Sequence, residues 1–342
     1  GRFPRYVALG DSYTAAPLVP PVSPGDACLK STANYPNLVA AELEGTVLAD
    51  VSCSGADSTS LIGVQELGDG TTRPPQLSFV TEQTSLVTLS MGGNDLQLFS
   101  TLVGECVRAA QDDPDGSPCT DAAGDQVPET LATIEGRVGS AVAGILDRAP
   151  DARVVVVGYP QIIPPRGSSC FERLPIAEGD LPFARQVNRG LSRALEQAAA
   201  AAEVEYVDTF ALTAGHDVCA DDPWINGLEG ELEAAPFHPT AQEQQAVAEE
   251  AEECAEEPGV ERGAEEGVPP EELLSRRHGA GPVHVKERVH HRLVEEGAGL
   301  HGEGVGDAQS HCQEEEGGED RDLGEALCEA RGLCDPRERV VA

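Results

Sequence analysis

Arg5-Tyr6-Val7-Ala8-Leu9-Gly10 runs directly into Asp11-Ser12 near the start of the chain. A short apolar run closed by Gly-Asp-Ser reads as a buried strand stopped by a turn. The same pattern recurs downstream. Residues 46–51 and 85–91 read as second and third strands, the latter ended by Gly92-Gly93. Arg153-Val154-Val155-Val156-Val157-Gly158 has four β-branched residues in succession, and residues 204–208 make a fifth strand. Helical stretches separate the strands: 35–43, 127–148, 181–202 and 240 to about 253. Within 127–148, Leu131, Ile134, Val138, Val142 and Ile145 recur at helical spacing. Alternation of strand and helix predicts parallel strands joined by right-handed crossovers, with helices on both faces of the sheet. Strands that are apolar throughout fit a sheet covered on both sides.

Composition separates this body from the remainder. The chain has 342 residues, with 60 Asp and Glu, 23 Lys and Arg and a formal net charge of -37. So acidic a chain is unsuited to nucleic acid, whose phosphates call for clustered Lys and Arg, and to docking by charge on anionic lipid. No run approaches the ~18 apolar residues of a membrane-spanning helix, so no stable membrane insertion is expected. All 7 Phe, all 5 Tyr and the single Trp precede residue 255. Residues 256–342 lack Phe, Trp, Tyr, Ile, Met, Asn and Thr, and include Glu314-Glu315-Glu316-Gly317-Gly318-Glu319-Asp320. A segment so poor in apolar side chains cannot offset its ordering entropy and is expected to be disordered. Its alphabet, depleted in residues with A/T-rich codons, is that of a GC-rich gene read out of frame. That points to a frameshift or read-through, with a genuine acidic tail as the alternative. The tail holds six of the eight histidines, but their spacing with its cysteines matches no zinc pattern, and neither metal nor other cofactor is expected. The sequence thus divides into a body, residues 1–255, and a low-complexity Glu/Gly-rich tail, residues 256–342.

Six cysteines lie within the body, Cys28, Cys53, Cys106, Cys119, Cys170 and Cys219, while Cys254 falls at the edge of the tail. An even set favours disulfides, and with them an extracellular location. Six cysteines admit fifteen connectivities, which sequence alone does not resolve. The expectation adopted is sequential pairing, Cys28–Cys53, Cys106–Cys119 and Cys170–Cys219, each bridge closing a local loop and contributing roughly 2–4 kcal/mol.

In an open parallel sheet, sites form beyond the carboxyl ends of the strands. Those ends carry Gly10-Asp11-Ser12-Tyr13, Ser52-Cys53-Ser54-Gly55 and Gly92-Gly93-Asn94-Asp95; Pro236-Phe237-His238-Pro239 follows near the end of the body. Each suits one part of acyl transfer. Ser12, opening a helix after the first strand, is a candidate nucleophile at a helix N-terminus that favours negative charge. His238 is a candidate base that takes the serine proton and returns it to the leaving group. The Ser12 and Gly55 N–H groups and the Asn94 amide are candidate oxyanion donors, each worth roughly 2.7–4 kcal/mol of barrier. Singly, each motif reads as an ordinary turn or cap. Their co-occurrence in order carries the signal. His216 reads as structural, and Trp224 either lines the acyl site or fills a loop core.

These blocks resemble the SGNH hydrolases, also called the GDSL lipase/esterase family. Gly10-Asp11-Ser12 is similar to the first family block, Gly55 to the second, Asn94 to the third and His238 to the fourth. The stretch from Tyr6 to Ala15, the six cysteines and Gly215-His216-Asp217-Val218-Cys219 look most like secreted actinobacterial esterases and lipases. The resemblance implies a three-layer α/β/α flavodoxin-like sandwich around a five-stranded parallel sheet. It also implies a secreted carboxylesterase or lipase, with an ester as substrate and a monomer as the default state. Loops 17–34 and 96–127 are expected to border the site, with Leu18, Val19, Leu96, Leu98, Phe99, Leu102 and Val103 suited to a short or medium acyl chain. Polysaccharide deacetylation, phospholipase activity and a non-enzymatic binding module are the other readings. Many family members place Asp three residues before the catalytic His, where this chain has Ala235. The resemblance then implies a Ser-His dyad in which the Ala235 main-chain carbonyl orients the ring, with Asp217, Glu231 and Glu233 as fallback acids.

Overall fold

The computed structural model describes residues 1–165, 170–229 and 232–256. Of the tail expected from residue 256 onward, only Glu256 lies within the described residues. Five strands form the central sheet: β1 (Arg5–Gly10), β2 (Val47–Asp50), β3 (Leu86–Ser90), β4 (Arg153–Val157) and β5 (Glu205–Val207). All pairings are parallel and the order is β2-β1-β3-β4-β5. From β1 the chain winds outward to β2, then returns to place β3 on the other side of β1. The crevice at that reversal opens beyond the carboxyl ends of β1 and β3, where Ser12 and Asn94 follow their strands.

The period of two along each strand distributes its side chains between two helical layers. The principal helices are α1 (Ser12–Ala15), α2 (Tyr35–Glu42), α3 (Val127–Arg148), α4 (Leu181–Ala201) and α5 (Ala241–Glu256). Val7 and Leu9 of β1 join Val87, Leu89, Val154 and Val156 in a core packed against Ile134, Val142 and Ile145 of α3 and Leu191 and Leu195 of α4. Tyr6 and Ala8 face the other way, with Leu86, Val155 and Val207, onto Tyr35 and Val39 of α2 and Val247 and Ala251 of α5. This is the three-layer sandwich expected. Full burial of a residue such as Ile134 or Ile145 stabilises the fold by roughly 1.5–3 kcal/mol.

Bridges join Cys28–Cys53, Cys106–Cys119 and Cys170–Cys219 among the described residues, the pairing expected. Residues 96–127, expected as a loop, instead fold into short helical pieces that include Thr101–Glu105, Cys106–Ala109 and Pro118–Ala123. The Cys106–Cys119 bridge closes this segment, and the Asp180 carboxylate accepts the N–H groups of Cys119 and Thr120 at 2.9 and 2.8 Å. Its order comes from distant partners, which hydrophobic periodicity does not register.

Candidate active site

Asp11 leaves β1 with its N–H still bonded to Ser90 O of β3, at 3.2 Å. Its carboxylate caps α1 by accepting the Tyr13 N–H at 2.9 Å, which sets Ser12 at the head of the turn. The helix is a single turn ended by Ala16 at φ 52°, so local N–H groups stand in for the macrodipole expected there. Ser12 Oγ lies 2.8 Å from Nε2 of His238, 226 residues further along the chain.

His238 sits on a tight turn. Its main-chain N–H donates to the Ala235 carbonyl at 3.1 Å, with Pro236 and Phe237 between. Phe237 has φ 60°, the positive value that the second central residue of a type II turn requires. The Ala235 carbonyl closes this turn and, contrary to expectation, is not the group that orients the ring. The His238 Nδ1–H donates instead to the Pro236 carbonyl at 2.8 Å. A carbonyl only accepts, so the proton is on Nδ1 and Nε2 is the acceptor facing Ser12. Burial moves the His238 pKa below the ordinary imidazole value, with the Pro236 bond acting in the opposite direction. The ring is then neutral at pH 7 and able to accept a proton.

Asn226, fully buried and unremarked in the sequence, holds this turn in place. Its N–H donates to His238 O and its carbonyl accepts the Phe237 N–H, both at 3.0 Å. Its side-chain amide donates to Ala234 O at 2.7 Å. Tyr13 ties the turn to the segment that carries Ser12: its hydroxyl donates to Phe237 O at 2.7 Å, and its ring lies 5.1 Å from that of His238. An Asn before a Gly reads as a loop turn, so only the fold reveals this role.

The candidate oxyanion donors are the Ser12 and Gly55 N–H groups and the Asn94 amide. Among the described residues, no acceptor takes the main-chain N–H of Ser12 or of Gly55. Gly55 is exposed and has φ 77°, a conformation in which other residues are strained. The Asn94 amide donates one hydrogen to Ala56 O at 2.8 Å, leaving a second N–H for a ligand. The Gly55 loop is anchored by the Cys28–Cys53 bridge and by the Cys53 N–H on Gly10 O at 3.1 Å. Fully buried Asp95 accepts the Ser58 N–H at 3.0 Å and pairs with Arg137 of α3 at 2.6 Å, joining the Gly55 and Asn94 loops from behind.

The other candidates take different places. Asp217 caps the Cys219 N–H at 2.9 Å, Glu233 is exposed, and Glu231 lies outside the described residues. Among the described residues no carboxylate is bonded to His238. His216 stacks on Trp224 with centroids 3.9 Å apart and bonds to Asp222 O at 2.8 Å. Trp224 borders a groove of about 750 Å³ with Pro20 and Thr240. Leu98, Phe99 and Leu102, expected to line the site, are instead buried in the core under α3, and Val19 is buried as well; Leu18 and Leu96 remain exposed. Among the described residues no three His, Cys, Asp or Glu side chains gather as a metal site, and no helix is long and apolar enough to cross a membrane.

A serine and a neutral histidine in contact at the carboxyl edge of a doubly covered parallel sheet are the marks of an α/β/α-sandwich hydrolase. The chain matches the model of the GDSL-like lipase/acylhydrolase family over residues 8–246, and it belongs to that family. It is accordingly a carboxylic ester hydrolase. It is 38% identical to lipase 2 of Streptomyces coelicolor over 250 residues, which span 71% of this chain and 83% of that protein. An esterase of Streptomyces scabiei is 32% identical, over 65% of this chain and 74% of the esterase. Among solved structures, an extracellular lipase from Streptomyces rimosus superposes with a TM-score of 0.60 at 26% identity, covering 73% of this chain and 99% of the lipase. A phospholipase A1 from Streptomyces albidoflavus gives a TM-score of 0.60 at 27% identity, over 73% and 98% of the two chains.

Proposed function

We propose that the chain is a secreted serine carboxylesterase or lipase that cleaves short-to-medium acyl esters through a Ser12–His238 dyad. The observation that carries this reading is the 2.8 Å contact between Ser12 Oγ and His238 Nε2, with Nδ1–H bonded to a peptide carbonyl. Ser12 Oγ attacks the ester carbonyl as His238 takes its proton. The Ser12 and Gly55 N–H groups and the Asn94 amide receive the oxyanion. His238 then protonates the departing alcohol, and water, activated by the same imidazole, releases the acid from the acyl-enzyme. Leu18 and Leu96, exposed apolar side chains in the segments that follow β1 and β3, favour acyl chains of moderate length.

Secretion is supported by the three disulfide bridges and by similarity to a lipase described as extracellular. The body, residues 1–255, is the catalytic unit in this reading, and residues 256–342 add nothing to it. Likeness to a phospholipase A1 supports a second substrate, the acyl ester of a phospholipid. Initial rates on p-nitrophenyl esters of two to sixteen carbons, beside phosphatidylcholine vesicles, test these points. Ser12→Ala is expected to remove hydrolysis of every ester, while removal of residues 256–342 leaves the rates unchanged. Wild-type hydrolysis by Ser12→Ala would overturn the dyad.

A further inference from the structure

We propose that Tyr159 is a positioning residue of the catalytic centre, its hydroxyl tying the turn that carries Ser12 to the turn that carries Asn94. The inference rests on the esterase reading above. Tyr159 follows β4 by two positions and is fully buried. Its hydroxyl accepts the Gly93 N–H at 2.8 Å and donates to Asp11 Oδ2 at 2.5 Å. The other oxygen of Asp11 accepts the Tyr13 N–H. One hydroxyl therefore joins the residue before the nucleophile to the residue before the amide donor. The first direction is forced, because a peptide N–H only donates, and it leaves the hydroxyl's own proton for Asp11 Oδ2.

The surroundings leave the hydroxyl no second position. The rings of Tyr13 and Phe99 flank the Tyr159 ring at 5.1 and 5.3 Å. A Cβ at position 93 would collide with Phe99, so the main chain can lie this close only with glycine there. Asp11 interacts with the titratable groups Tyr13, Tyr35, Tyr159 and Asp95, and Tyr13 in turn separates it from His238. Burial raises the Asp11 pKa to about 7, and the bonds from Tyr159 and Tyr13 draw it down. With the hydroxyl gone, Asp11 stays protonated further into the neutral range and its hold on the turn weakens there.

Full-length wild type, Tyr159→Phe, Asp11→Asn and Ser12→Ala are compared on p-nitrophenyl butyrate from pH 5 to 9. Melting temperature and fluorophosphonate labelling are read alongside to report folding. Tyr159→Phe is expected to lower kcat at pH 8 on the order of 10- to 100-fold, the scale of a small misplacement, with KM little changed. Its acid limb moves to higher pH than that of the wild type. Asp11→Asn, which cannot titrate, moves the acid limb to lower pH, where His238 alone sets it. A folded Tyr159→Phe with wild-type kcat, or with a loss uniform across pH and an unmoved limb, would overturn the inference. Should Tyr159→Phe not fold, an unmoved acid limb in Asp11→Asn does the same. Hydrolysis retained by Ser12→Ala overturns the Ser12–His238 dyad of the proposed function instead, which separates the two failures.

Discussion

The two halves of the proposed catalytic centre are built on different principles. Ser12 and Asn94 leave adjacent central strands, and their turns are fixed by bonds made where the strands end: Asp11 N–H on Ser90 O, Gly93 N–H on the Tyr159 hydroxyl. His238 follows no strand. It arrives on a loop after β5, in a turn with a strained Phe237, held by Asn226 from one side and the Tyr13 hydroxyl from the other. The strand side inherits its rigidity from the sheet. The loop side depends on a few buried polar bonds, each of which, left unpartnered, costs about 1–3 kcal/mol. Ser12 is thus held by the sheet, and His238 by a separate set of loop bonds.

The largest effect expected on this comparison is from the base itself. His238→Ala should lower kcat on the order of 10⁴-fold or more while leaving the melting temperature near that of the wild type. Next comes the strand side. Asn94→Ala should lower kcat on the order of 10²- to 10³-fold, with KM little changed, since its free N–H acts on charge that develops in the transition state. Comparable KM and kcat effects would place Asn94 in ground-state binding instead.

Asn226→Ala tests the loop side without touching the reacting atoms. It unpairs the buried Ala234 carbonyl while keeping the main-chain bonds to Phe237 and His238. A loss of about 1–3 kcal/mol of stability is expected from denaturant titration. A fall in kcat should accompany it, with fluorophosphonate labelling slowed in parallel. If stability fell and labelling did not slow, the turn would be held well enough by Tyr13 and the main chain, and the contrast between the two sides would weaken.

Sequence made the strand side legible and left the loop side largely hidden, for physical reasons. Gly10-Asp11-Ser12 and Gly92-Gly93-Asn94-Asp95 sit where apolar runs stop, so strand reading and site reading reinforce each other. The acceptor for His238 depends on how the Pro236–Phe237 peptide is rotated. That rotation follows from φ 60° at Phe237, a value local rules assign to Gly or Asn. Tyr159 reads as core because its apolar ring dominates the pattern, and its hydroxyl meets Asp11 only through the 148-residue separation that the sheet closes. Leu98, Phe99 and Leu102 read as loop residues facing substrate, yet the folded segment around the Cys106–Cys119 bridge turns them inward.

The smallest effect concerns the seam between the two sides. Gln244 of α5 donates to Tyr13 O at 3.1 Å and accepts the Tyr35 N–H at 2.8 Å, and its amide also donates to the buried Glu243 carboxylate at 2.8 Å. Burial raises the Glu243 pKa from 4.5 to about 8. The folded state therefore holds this proton more firmly than the unfolded chain, so Glu243 contributes most below about pH 4.5 and that contribution declines as pH rises through 8. Asp11, raised to about 7, acts with the same sign over a lower window. Glu243→Gln should flatten the decline in melting temperature between about pH 4.5 and 8, with little change in activity at pH 7. Asp11→Asn should flatten the lower part and disturb activity as well. If the double substitution flattened the curve by less than the sum of the two single ones, the two carboxyls would titrate as one coupled unit. The strand side and the loop side would then share one electrostatic environment, with no boundary at Gln244.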